Sequence, residues 1–265
     1  MWKCGLETGE ITRKKTAKAE ISCNLKIITN FRSLDLDLLV GLERQKKTIL
    51  NNTVNFSEGN FTNNALLWGS RGNGKSSLIK SVFNEVNKKN KNLKLIQLNK
   101  NNIFDIEIIY EKYANFKNYN FIIFIDDLSF EKIDSDYKII KSTLDGSIQN
   151  QPKNIILYVT SNRRHLMPRD MIENERSSAI HTDESVEEKI SLSDRFGLWI
   201  GFHNISQNDF INIISKYCEK FNMPFNKDTE KEAIKWSLQR GNRTGRSAWQ
   251  FVVNYAAEKN KKIDF

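Results

Sequence analysis

Apolar and polar positions along this chain alternate between two periods. Short continuous apolar runs recur at Ala65–Trp68, Leu93–Leu98, Phe121–Ile125, Asn154–Val159 and Leu198–Ile205. Runs of this length predict strands buried on both faces, as in a parallel sheet covered by helices. Between them the apolar positions shift to helical spacing. Ser77 to Val86 carries Leu78, Ile79, Val82, Phe83 and Val86, and Tyr137 to Ile148 carries Tyr137, Ile140, Leu144 and Ile148. Ile103 to Phe116 is predicted helical, and Leu34 to Asn52 reads as an entry segment and first helix. Asn51 to Asn64 is polar and turn-like.

Beyond Ile205 the strands stop and three helices are predicted. Ser206 with Asp209 fits a capping box opening a helix through Lys220. Asp228 is placed to cap a second helix, Thr229 to Gln239, which Gly241 ends. Ser247 to Lys259 forms the third, with Trp249, Phe251, Val252 and Tyr255 as its apolar members. The pattern divides the chain into an irregular basic arm over 1–33, an α/β core over 34–205 with a five-stranded parallel sheet, and a helical lid over 206–265.

One loop gives this α/β pattern a chemistry. Gly69 to Ser76 fills every fixed position of G-x-x-x-x-G-K-[ST], between a predicted strand and a predicted helix. Gly69, Gly72 and Gly74, with Ser70, Arg71 and Asn73 between them, let the backbone curl so that successive N–H groups face one anion. The helix that follows, from Lys75, Ser76 and Ser77 onward, adds its positive end. Lys75 is placed to reach the β- and γ-phosphates of ATP, and the Ser76 hydroxyl to ligate Mg²⁺.

Four further features narrow the class. The strand Phe121–Ile125 runs into Asp126-Asp127, a Walker B arrangement in which Asp126 would hold Mg²⁺ and Asp127 stands where many ATPases have a water-polarising glutamate. Asn162 at the tip of the next strand is placed either to orient the attacking water or to act as a turn residue. Arg195, just before the last core strand, reads either as an arginine finger toward a neighbouring subunit or as a partner of Asp194. Arg243 or Arg246, in Gly241–Arg246, would fold over the phosphates from the lid.

These residues resemble the AAA+ ATPases and, within them, the bacterial DUF815 family of predicted ATPases. The resemblance covers about Leu34 to Lys259 and rests on Gly69–Ser77, Phe124–Glu131, Thr160–Leu166, Ser191–Gly201 and Gly241–Gln250. It implies ATP and Mg²⁺ as ligands, a homo-oligomeric ring and an unassigned client. The aspartate at 127, one methylene shorter than the common glutamate, is a departure that bears on the rate of hydrolysis.

Charge and composition change the picture only slightly. The net charge is +9 with 39% hydrophobic and 28% charged residues, and the pI is about 9.3. A basic surface suits nucleic acid, but the lysines are spread among asparagines and the plainer reading is a solvated surface. Arg13-Lys14-Lys15 belongs to the arm, read as a flexible tail. No apolar run approaches the ~18 residues of a membrane span. The scattered Cys4, Cys23 and Cys218 predict a reducing cytoplasm without disulfide or zinc site. Three functions compete: an ATP-hydrolysing switch or motor, an ATP-gated binding module or loader on nucleic acid or protein, and a small-molecule kinase. The lid, Asn162 and the absence of an evident acceptor site disfavour the last.

Overall fold

The computed structural model describes residues 2–4, 25–27, 32–130, 135–145, 151–164, 166 and 192–263. Seven strands are present among them: β1 Trp2–Cys4, β2 Leu25–Ile27, β3 Ala65–Gly69, β4 Leu93–Leu98, β5 Asn120–Ile125, β6 Ile155–Ser161 and β7 Leu198–Phe202. The helices are α1 Glu43–Ser57, α2 Lys75–Lys89, α3 Asp105–Tyr113, α4 Ser135–Asp145, α5 Gln207–Lys220, α6 Lys227–Gln239 and α7 Gly245–Glu258. The sheet order is β2-β1-β4-β5-β6-β3-β7. The five expected strands form its parallel core, with β5 and β6 in the middle.

The apolar runs are fully used, because each strand is covered on both faces. On one face Leu66, Ile123, Ile125, Leu157 and Val159 pack with Ile106 and Ile109 of α3 and Tyr137 and Ile140 of α4. On the other, Leu67, Ile122, Phe124 and Tyr158 pack with Ile49 and Phe56 of α1 and with Leu78, Ile79 and Val82 of α2. Residues one apart along a strand thus feed opposite layers, as the pleat requires. A third cluster joins Phe210, Ile214 and Tyr217 of α5, Ala233 of α6 and Phe251, Val252 and Tyr255 of α7 to Leu38. No described helix is long and apolar enough to cross a membrane, and the described residues contain no cluster of three or more metal-ligating side chains.

Several elements differ from expectation. The arm was expected to be irregular, yet β1 pairs parallel with β4 and β2 antiparallel with β1, extending the sheet by two strands. Strands of three residues are too short to show a period. Asn51 to Asn64 was expected to be turn-like, but α1 continues to Ser57. The reason is Tyr158, which brings a buried hydroxyl to the sheet face. Its Oη meets Asn52 Nδ2 and Thr53 Oγ1, each at 2.9 Å. With Phe56 also buried, these contacts hold the polar turns helical. In the lid, Asn226 and not Asp228 caps α6, accepting from the N–H groups of Asp228 and Thr229. α7 begins at Gly245, two residues early, because Thr244 and Ser247 form a reciprocal capping box.

Burial pushes the Tyr158 phenol up to about 12, so its hydroxyl stays protonated and available to α1. Tyr158→Phe is expected to lower unfolding stability by about 1 kcal/mol, the worth of a buried hydrogen bond whose partners keep other contacts. Urea unfolding monitored by circular dichroism reads this directly, and an unchanged midpoint would show that the hydroxyl does not hold α1.

Candidate functional site

β3 carries the chain to Gly69, where the backbone turns with φ +132°. A Cβ there would lie 2.0 Å from the Phe202 carbonyl oxygen, so only glycine lets the loop leave the sheet this close to β7. The exit of β7 then braces the loop. Ser70 N donates to Phe202 O at 3.3 Å, Ser70 Oγ donates to Asn204 Oδ1 at 2.8 Å, and Asn73 Nδ2 donates to His203 O at 2.8 Å. Gly72 and Gly74 also have positive φ, and α2 starts at Lys75.

Lys75 turns back into this loop. Its Nζ donates to Gly69 O at 2.7 Å, Ser70 O at 2.8 Å and Asn162 Oδ1 at 3.1 Å. The side chain is buried. Desolvation pulls its pKa down from 10.5 to about 8, against the charges of Asp127 and Asp126 and with the help of Arg71 and Arg246. This ammonium faces a cleft and has a poorly solvated charge, as a phosphate site needs.

Next to it the strand ends converge. Ile125 of β5 is in register with Val159 of β6, so the following residues, Asp126 and Thr160, meet. Asp126 Oδ1 accepts from Thr160 Oγ1 at 2.6 Å and from Ser76 Oγ at 2.5 Å. The hydroxyl and carboxylate assigned to Mg²⁺ are thus adjacent, and a hard divalent cation suits that all-oxygen pair. Asp127 has φ +57°, an uncommon conformation for a non-glycine residue and one that recurs at functional sites. Its N–H donates to Thr160 Oγ1 at 2.9 Å, and its carboxylate accepts from Asn162 Nδ2. Asn162 therefore bridges Lys75 and Asp127. Thr160, missed by the sequence reading, is the hub of this corner. The only signal for it was a hydroxyl two residues before Asn162 on a buried strand.

A cleft of about 860 Å³ opens over these groups. Its polar end is walled by Arg71 to Ser77, Asp126, Asp127 and Asn162. Its apolar end is walled by Leu38, Leu39, Val40, Ile205 and Trp249, residues to which the sequence reading gave no role. The lid reaches the polar end through its backbone. Arg246 N donates to Gly72 O at 3.1 Å, and a Cβ on Gly245 would stand 3.2 Å from the same oxygen.

The two lid arginines separate in place. Arg246 lines the cleft, whereas Arg243 Nη2 donates to Gln207 Oε1 of α5 at 3.4 Å and does not line it. Arg195 is half-buried and also away from the cleft. Leu198 registers with Ala65, at the start of β3. Gly69 lies at its far end, about 13 Å away at 3.3 Å per residue. Arg195, preceding Leu198, is at the opposite end of the sheet from its own phosphate loop. Glu131, His165, Ser191 and the acidic run Asp183–Glu188 lie outside the described residues.

No functionally curated protein matches the chain. Solved structures share its fold. The Thermotoga maritima RuvB Holliday junction branch migration motor aligns with a TM-score of 0.52 at 17% identity, over 87% of this chain and 68% of that one. The Aeropyrum pernix Orc1 protein, solved in complex with DNA, aligns with a TM-score of 0.57 at 15% identity, over 84% and 62%. Domain III of the Thermotoga maritima replication initiation protein DnaA gives 0.53 at 14% identity, over 88% and 94%. These likenesses establish the AAA+ ATPase fold, a five-stranded parallel core with helices. By sequence, residues 12–259 match the family described as "Protein of unknown function (DUF815)". With nearly its whole length matched, the chain belongs to the DUF815 family, within the AAA+ P-loop ATPases.

Proposed function

We propose that this protein binds ATP with Mg²⁺ in the cleft and hydrolyses it to change the position of its helical lid, residues 206–265, on a client. One observation carries the reading. The Lys75 ammonium, the Ser76–Asp126 hydroxyl–carboxylate pair and the Asn162–Asp127 pair converge in one cleft. In this reading the loop N–H groups and Lys75 bind the phosphates, while Ser76 and Asp126 hold the cation. When bound, Mg²⁺ neutralises charge between the β- and γ-phosphates. Asp127 accepts a proton from the attacking water, and Asn162 orients that water or the terminal phosphate. Arg246 supplies positive charge from the lid.

A second reading has its own support. Asp127 is short for its role and is held by Asn162, which suits a module gated by ATP occupancy with little turnover. The structures solved as a branch migration motor and as a complex with DNA make either reading compatible with a homo-oligomer or a nucleic-acid client.

Phosphate favours charged Lys75, so binding raises the pKa that desolvation holds near 8. Protons are then taken up on binding, and affinity is expected to fall as pH rises through about 8, by up to about tenfold per unit. Lys75→Ala should bind at least ~tenfold more weakly and lose this dependence. Titration of a fluorescent ATP analogue between about pH 7 and 9 tests both, and flat wild-type affinity would remove Lys75 from the site.

The two acids should separate. Asp126→Ala is expected to weaken Mg²⁺-dependent binding, and Asp127→Asn to keep binding while losing turnover. A phosphate-release assay decides between the readings: wild-type turnover in Asp127→Asn excludes it as the base, and negligible turnover in the wild type favours the gated module.

Arg195 is expected to act on a neighbouring subunit. Arg195→Ala should bind ATP but lose ~10³-fold or more in turnover. Mixing it with Lys75→Ala should restore part of the activity. A lower melting temperature with no rescue would instead make Arg195 a structural partner of Asp194.

A further inference from the structure

The opposite end of the sheet carries a second feature that the ATP site does not use. The strands β4, β5, β6 and β3 are neighbours in that order, and their N-terminal ends form a rim on the far side from the cleft. On that rim Phe61 is 82% exposed, Phe116 47% and Tyr119 38%. These rings are not loose. Asn154 Nδ2 donates to the carbonyls of Tyr113, Phe116 and Tyr119 at 3.1, 3.3 and 3.2 Å, which pins the turn before β5. Beneath them, Tyr113 and Phe121 fill the core side, with Tyr113–Phe121 centroids 4.9 Å apart and Phe116–Phe121 and Tyr119–Phe121 centroids at 6.4 Å. The core is thus closed by buried rings, and Phe116 and Tyr119 stand outside it.

Each exposed end of this stripe is paired with a cation. Lys94 Nζ lies 5.4 Å from the Tyr119 ring centroid, and Lys153 Nζ 5.9 Å from that of Phe61. Lys112 covers Tyr113 at 5.8 Å. Lys91 and Lys117 lie on the same turns, against Glu58 and Glu111. Across the three strand spacings from β4 to β3 the stripe runs about 14 Å. Flat ring faces beside point cations match the alternation of bases and phosphates in a single strand, in which unpaired bases stack and phosphates pair. A duplex hides its base faces, and an acidic peptide would use the lysines but not the rings.

We propose that this rim binds single-stranded nucleic acid, with Phe61, Phe116 and Tyr119 stacking bases and Lys94 and Lys153 contacting phosphates. The site is independent of the ATP cleft, which opens at the other ends of the same strands. Its test is fluorescence anisotropy of the full chain with labelled oligo(dT) of about 20 nucleotides, longer than the stripe. A duplex of the same length and poly-glutamate serve as competitors. Wild type should bind oligo(dT), and the triple variant Phe61→Ala/Phe116→Ala/Tyr119→Ala should bind at least about tenfold more weakly. That variant should keep the wild-type melting temperature and ATP-analogue affinity. Lys94→Glu/Lys153→Glu, a check that leaves the rings in place, should reduce the slope of log affinity against log salt by about 0.7 per lysine. Lys75→Ala should bind oligo(dT) as wild type does. Undiminished binding by the triple variant, binding lost only with Lys75→Ala, or no measurable wild-type binding overturns the proposal. Displacement by poly-glutamate as effective as by oligo(dT) also overturns it and reassigns the rim to an acidic protein.

Discussion

An ammonium and two carboxylates share one desolvated corner of this molecule, and none of them can stay there without partners. Burying an isolated charge costs several kcal/mol even after relaxation. Lys75 meets the requirement with two loop carbonyls and Asn162, and Asp126 with two hydroxyls. These contacts come from the phosphate loop, β6 and α2, so they hold only if β3, β5 and β6 sit side by side in the observed register. The parallel sheet does more than enclose a core. It brings three chain segments, distant in sequence, to one end where their charges satisfy one another.

The same logic explains why that end is the functional one. Parallel strands expose their last carbonyls and the first N–H groups of the following helices on one side. Here β3, β5 and β6 all end there, and the exit of β7 closes the side of the loop through Phe202, His203 and Asn204. Gly69 is the residue that makes the fit possible, because any side chain would collide with β7. A phosphate loop clamped this tightly keeps its shape without a ligand, so little ordering is needed when an anion arrives.

Much of this was legible in the sequence because it is local. Gly69 to Ser76, the Phe121–Asp127 run and Asn162 are contiguous signals, and the strands that carry them are unbroken apolar runs. The failures share a cause of the opposite kind. Asn52 and Thr53 read as turn residues until Tyr158, more than a hundred positions away, supplies their partner. Thr160 looks like any strand threonine until the register of β5 and β6 sets it against Asp126. Arg243 and Arg246 are indistinguishable by type. The capping box at Thr244 starts α7 early, and that places Arg246 in its first turn at the cleft and leaves Arg243 before it, against Gln207. Asn226 displaced Asp228 as a cap because the side chain two residues earlier reaches two N–H groups at once.

The lid contact follows from this register. α7 touches the phosphate loop through the Arg246 N–H on the Gly72 carbonyl, with Gly245 packed against the same oxygen. The apolar cluster of the lid, in turn, extends to Leu38 on the wall of the cleft. A group entering the cleft therefore presses on two elements that belong to one helical cluster, one at the polar end and one at the apolar end. Backbone contacts of this kind do not depend on side-chain rotamers, so a shift of the loop at Gly72 moves the axis of α7 with little slack. On the proposed reading, this is how phosphate occupancy is transmitted: Arg246 contributes charge, but the movement is carried by a carbonyl and two glycines. A bulky residue at 245 would separate the two roles, because it would push α7 off the loop while leaving the Arg246 guanidinium chemically intact.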